Sequence, residues 1–182
     1  MKDTNSPSFD SIHVSFAVGQ ISGNLCWHFD GPNGGDLFQT KGKYAGMVLL
    51  TKGANIRCRV TVFPDTSASR GALSYNVSIL DCQLFAVPRQ QSTTVSPFAP
   101  TQDGSPVYRS FLPASATVGG SQPQIFESGD FFPVTADHGN WDLSMILTAS
   151  LTPSGTSAGG PTAEAVIVRC RFDPEGVVGT PD

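Results

Sequence analysis

The sequence predicts an all-β fold, a single-domain two-sheet antiparallel β-sandwich of jelly-roll or immunoglobulin-like type, with a β-barrel as the alternative closure. Three observations lead there. Apolar residues recur with period 2 in run after run, the mark of a strand with one buried face. Clusters of Gly, Pro, Asn and Asp separate the runs. No segment carries the i, i+3, i+4, i+7 apolar stripe of an amphipathic helix.

The runs are read in chain order. Ile12, Val14, Phe16 and Val18 alternate with His13, Ser15 and Ala17. Leu25, Trp27 and Phe29 alternate with Cys26, His28 and Asp30. Ile56, Cys58, Val60 and Val62 face away from Arg57, Arg59 and Thr61, and a longer segment follows from Tyr75 to Val87. Trp141–Leu151, a Pro/Gly/Ser loop and Ala163–Phe172 read as a long hairpin. Shorter runs at Met47–Thr51, Val107–Leu112, Gln124–Glu127 and Phe131–Thr135 complete about eight to ten strands, the spacing of a sandwich or barrel. The Gln-, Ser-, Thr- and Pro-rich stretch from Pro88 to Pro106 reads as a functional or edge-covering loop, not a linker. One domain over residues 11–176 is expected, with residues 1–10 and 177–182 as tails.

Composition agrees. The 182 residues suffice for one core, and 39% are hydrophobic. Only 14% are charged, and Ser, Thr, Gly and Pro fill the gap, which suits sheet surfaces and turns better than exposed helices. A net charge of −4 argues against nucleic acid, whose recognition needs a concentrated basic surface. The polar stretch Met1–Asp10 lacks the apolar core of a secretion signal, and Met47–Leu50 is too short to span a bilayer, so a cytoplasmic protein without a membrane partner is expected. In that compartment Cys26, Cys58, Cys82 and Cys170, none in a C-x-x-C pair, read as buried reduced thiols.

Several constellations could carry chemistry. Cys26, His28 and Asp30 alternate on one strand and share a face, but i and i+2 on a strand lie about 6.5–7 Å apart, too far for a direct Cys–His hydrogen bond. No metal site and no catalytic residue is expected from them. Asp137-His138 sits among turn formers, and His13 belongs to the polar face of the first strand. Asp30, Asn33 and Asp36 place three oxygen donors around Gly31–Gly35, without the EF-hand spacing of a calcium loop. With Trp27 as a stacking platform, these four residues are the candidates for a lectin-like or small-ligand site. Arg57/Arg59 and Arg169/Arg171 form two same-face basic pairs, expected to be solvated or ion-paired if their strands lie apart, and as four like charges in a row to need an anionic ligand or carboxylates if the strands are adjacent. No P-loop, G-x-G-x-x-G, G-x-S-x-G or H-E-x-x-H is present.

Four pieces between residues 44 and 176 carry a family likeness: Tyr44-Ala45-Gly46-Met47-Val48, Ala86-Val87-Pro88-Arg89, the strand Trp141–Leu151, and the closing Phe172-Asp173-Pro174. In this order they resemble the bacterial inclusion-body family typified by the PixA and AidA proteins. The opening strand departs from that family's continuous apolar run, and no Pro-Asn-Pro motif follows it. The resemblance implies a cytoplasmic, self-associating, non-enzymatic sandwich, with no cofactor and no catalytic residues to carry over. A homodimer is the expected assembly. A carbohydrate- or small-ligand-binding module is the alternative, and a hydrolase using His28 or His138 the second.

Overall fold

The structure is a computed structural model that describes residues 9–20, 22–31, 34–43, 45–65, 74–89, 92, 94–105, 107–110, 115–119, 122–154, 164–172 and 175–178. Twelve strands follow one another: β1 (Asp10–Ala17), β2 (Cys26–Asp30), β3 (Met47–Leu50), β4 (Asn55–Phe63), β5 (Ser74–Pro88), β6 (Val107–Arg109), β7 (Ser115–Val118), β8 (Gln124–Glu127), β9 (Phe132–Pro133), β10 (Gly139–Ser154), β11 (Val166–Phe172) and β12 (Glu175–Val178). There is no helix among the described residues, so none is long and apolar enough to cross a membrane.

The strands form two sheets. The smaller runs β2-β1-β4-β8, with β9 also on β4; the larger runs β3-β12-β10-β5-β6, with β11 on β10 and β7 on β5. Neither closes on itself, so the sandwich describes the fold and the barrel does not. Most pairings are antiparallel, but β1 lies parallel to β4, and β3 parallel to β12. The alternation places one set of side chains between the sheets: Ile12, Val14, Phe29, Ile56, Cys58 and Val60 from the smaller, and Val77, Leu84, Trp141, Leu143, Met145 and Leu147 from the larger. Burying each large apolar side chain is worth about 1.5–3 kcal/mol, which makes this layer the main source of stability.

The strongly patterned runs appear as strands, and β8 falls on Gln124–Glu127 as read. Two strands were not anticipated. Ser115–Val118 has too little apolar contrast to stand out, and Glu175–Val178, whose last two residues fall in the expected tail, pairs with β10 and β3. The run Phe131–Thr135 contracts to Phe132–Pro133 plus a bridge from Val134 to Phe98. The Val107 run ends as a strand at Arg109.

The segment from Ser92 to Ser105 crosses the end of the sandwich. Ala99 N–H donates to the Pro133 carbonyl at 2.8 Å and Thr135 N–H to Pro97 at 2.9 Å. Phe98 is buried among Tyr108 and Phe132 at ring separations of 5.3 and 6.1 Å. The indole N–H of Trp141 donates to the Thr94 carbonyl at 3.2 Å, which gives this buried ring a polar partner. Through Phe98 this loop adds a side chain to the core.

The cysteines divide. Cys58, Cys82 and Cys170 are buried, but Cys26 is exposed, correcting the expectation that all four are core residues. Strand alternation accounts for it: Leu25 and Phe29 take the inner face, which leaves Cys26 on the outer one. The Cys58 and Cys82 sulfurs meet between the sheets at 3.6 Å, with Met145 Sδ 3.8 Å from Cys82.

Candidate functional site

The outward face of the smaller sheet gathers polar side chains that lie far apart in sequence. Register brings them together. His13 on β1 stands directly opposite His28 on β2 and beside Arg59 on β4, and Arg59 in turn faces Glu127 on β8. One pair along, Ser11 lies between Asp30 and Arg57.

Within this row His13 Nδ1 and His28 Nε2 are 2.9 Å apart, and His28 Nε2 is 3.1 Å from Asp30 Oδ2. His13 Nε2 lies 2.7 Å from the Thr61 hydroxyl. The two imidazoles meet edge to face, with centroids 4.3 Å apart. Burial, followed by the neighbouring His28 and Arg59, holds the His13 imidazole below the ordinary histidine range and favours its neutral form. The sequence Asp30–His28–His13–Thr61 has the order of an acid, two imidazoles and a hydroxyl. Thr61 is only 5% exposed, however, so the hydroxyl ending the chain is shielded from substrate by the imidazole it binds.

Beside this group, Glu127 holds both basic residues of β4. Its carboxylate accepts from Arg59 Nε at 2.7 Å and from Arg59 Nη2, and lies 3.3 Å from Arg57 Nη1. The Arg57 guanidinium also sits 5.5 Å above the Phe9 ring, which stacks on Phe131 at 4.5 Å. The other basic pair, Arg169/Arg171, is on β11 in the larger sheet. The two pairs therefore lie apart, and no row of four arginines forms.

The residues proposed for a ligand site have other neighbours. Trp27 belongs to the inner face, and its ring engages Phe172, Phe38 and Phe29 at 5.8, 5.7 and 5.9 Å instead of standing beside the loop. Asp36 Oδ1 accepts from Phe38 N–H at 2.8 Å, while Asp30 turns to His28. Asn33 lies outside the described residues. Gly31 N–H donates to the Gly35 carbonyl at 2.7 Å and Gly34 takes φ 74°, so the loop is a tight turn whose ends bridge at Asp30 and Asp36. Asp137 pairs with Lys52, and His138 is exposed in its turn. Of the residues proposed for the ligand site, Asp30 alone joins this cluster, with His28 from the same strand. His13, its third member, could be found only by knowing the β1–β2 register.

Two shallow hollows flank the crossing loop. One of about 400 Å³ is lined by Val95, Phe98, Pro100 and Tyr108, and one of about 500 Å³ by Gln83, Asp103 and Arg109. No family model matches the chain, and no curated protein matches it.

Proposed function

We propose that this chain is a non-enzymatic, self-associating β-sandwich whose copies pair as a homodimer along the free edge of β11. The observation that carries this is the state of that edge. From Val166 to Phe172, β11 is bonded to β10 on one side. On the other, only its end is covered: Arg171 N–H donates to the Gly23 carbonyl at 2.8 Å, and Leu25 N–H to the Arg171 carbonyl at 2.9 Å. Backbone groups alternate in direction, so Ile167 and Arg169 turn their N–H and C=O to the same side as Arg171; no described residue hydrogen-bonds them there, although Gly23 lies beside the Arg169 carbonyl. Val166 and Ile167 point to opposite faces, yet they are 56% and 59% exposed.

Such an edge is a template for another strand. A two-fold axis normal to the sheet and passing through Ile167 would set Ile167 against its copy, Val166 against Val168, and Arg169 against Ala165. No arginine then opposes an arginine, so the repulsion of facing like charges is avoided. The arrangement is isologous, the commonest form of closed assembly. The resemblance to inclusion-body proteins points the same way. Its pieces at Ala86–Arg89 and Trp141–Leu151 fall at the end of β5 and along β10, which pair along their length; Tyr44, Asp173 and Pro174 lie outside the described residues. A cytoplasmic setting is part of the reading, since a reducing compartment keeps Cys58 and Cys82 as thiols at 3.6 Å.

Ile167→Pro tests the edge. It removes an outward N–H while leaving the β10 ladder intact. Light scattering coupled to size exclusion is expected to give a dimer for the native chain and a monomer with unchanged circular dichroism for the variant. A native chain that stays monomeric at high concentration overturns the proposal.

A further inference from the structure

We infer that His13 Nδ1, His28 Nε2 and Asp30 Oδ2 form a binding site for a zinc-class divalent transition-metal ion on the outward face of the smaller sheet. The three atoms all lie within 4.8 Å of one another, and two of the separations are 2.9 and 3.1 Å. A tetrahedral ion with bonds of about 2.0–2.1 Å needs donors roughly 3.3 Å apart, so these two separations need open only by a few tenths of an ångström. Both contacts converge on His28 Nε2, which carries at most one proton, and an ion would draw instead on a lone pair from each of the three atoms.

Donor chemistry selects the class. Two imidazoles and a carboxylate suit zinc and its neighbours in the first transition row, while calcium and magnesium prefer an all-oxygen shell. The scaffold is rigid on both sides of the site. His13 and His28 are fixed by the β1–β2 register, and Asp30 follows on the same face of β2. The Thr61 hydroxyl, 2.7 Å from His13 Nε2, supplies the outer-shell partner that a ligating histidine needs to hold its ring and tautomer. Arg59, which stands beside His13, has its charge offset in part by its ion pair with Glu127. The side chains of His28 and Asp30 remain 48% and 31% exposed, so an ion enters from solvent and water completes its shell. The sequence argument against a metal turned on the Cys26–His28–Asp30 spacing along one strand. The missing donor comes instead from the strand alongside. Nothing in this inference depends on the pairing of β11, which belongs to the other sheet.

The test is calorimetric titration of the tag-free full chain with Zn²⁺ at neutral pH, followed by Co²⁺ to read the coordination from its visible absorption. One equivalent of Zn²⁺ is expected to bind. Binding should weaken about tenfold or more in His28→Ala and in Asp30→Ala, and less in Thr61→Val, which acts through His13. His28 is exposed enough that its variant keeps the native melting temperature without metal. Cys26→Ser should bind as the native chain does. Absence of binding by the folded native chain, or binding unchanged in His28→Ala and Asp30→Ala but lost in Cys26→Ser, overturns the assignment.

Discussion

The tripeptide Arg-Cys-Arg occurs twice, at Arg57–Arg59 on β4 and at Arg169–Arg171 on β11, and the fold treats the copies differently. In both, the cysteine is buried and the arginines share the outer face. On β4 there are neighbours on both sides, and Glu127 of β8 takes both guanidinium groups. On β11 only β10 runs alongside for the whole length, and both arginines are exposed, with no carboxylate within 4 Å among the described residues. Alternation decides which side chains point inward. Position in the sheet decides whether the outward charges find partners.

The largest expected difference lies at the central cysteines. Cys58 is fully buried against Cys82, so Cys58→Ser puts a hydroxyl among thioethers and thiols and should cost about 2 kcal/mol in a denaturant titration. Cys170 already has the Gln20 amide 3.7 Å from its sulfur, a donor that a serine hydroxyl can use, so Cys170→Ser should cost less than about 1 kcal/mol. Equal losses would mean that both copies sit in the same environment.

Next comes the acidic partner. Glu127→Gln leaves two half-buried arginines side by side without their carboxylate and should destabilise by about 1–2 kcal/mol, whereas Arg169→Ala, at an exposed position, should stay within about 0.5 kcal/mol.

The smallest effect is in pH. The hydrogen bond with Cys82, then burial, pushes the Cys58 thiol well above its usual range. Its folded pKa exceeds the unfolded one, so its contribution is complete below about pH 9 and is lost as pH rises beyond that. Native protein should therefore lose stability between neutral pH and pH 10 more steeply than Cys58→Ala, measured as the difference between their melting curves.

The comparison also marks what the residues reveal before folding. Period 2 located β1, β4, β5, β10 and β11, because each is long enough for its alternation to be distinct. It missed β7, made of Ser115, Ala116, Thr117 and Val118, and β12, which contains Gly176, because such strands are defined by their partners more than by their own side chains. The same limit governs the site. Asp30 and His28 share a strand and so share a face, which is readable. His13 meets them only through pairing, and Trp27 read as a platform because its aromatic neighbours Phe38 and Phe172 come from other segments.

The parallel pairing of β3 with β12 has a bearing on how the chain is made. Met47 aligns with Glu175, and Leu50 with Val178, so this edge of the larger sheet joins residues far apart in the sequence. Contacts of such separation slow folding, because a long loop must close before they form. On the ribosome, Met47–Leu50 emerges first and waits, its buried-to-be Val48, Leu49 and Leu50 open to any passing strand, until Glu175–Val178 has followed. The architecture that gives the finished protein a tightly joined sheet leaves the growing one with a long interval in which a chaperone, or another nascent copy, can reach it first.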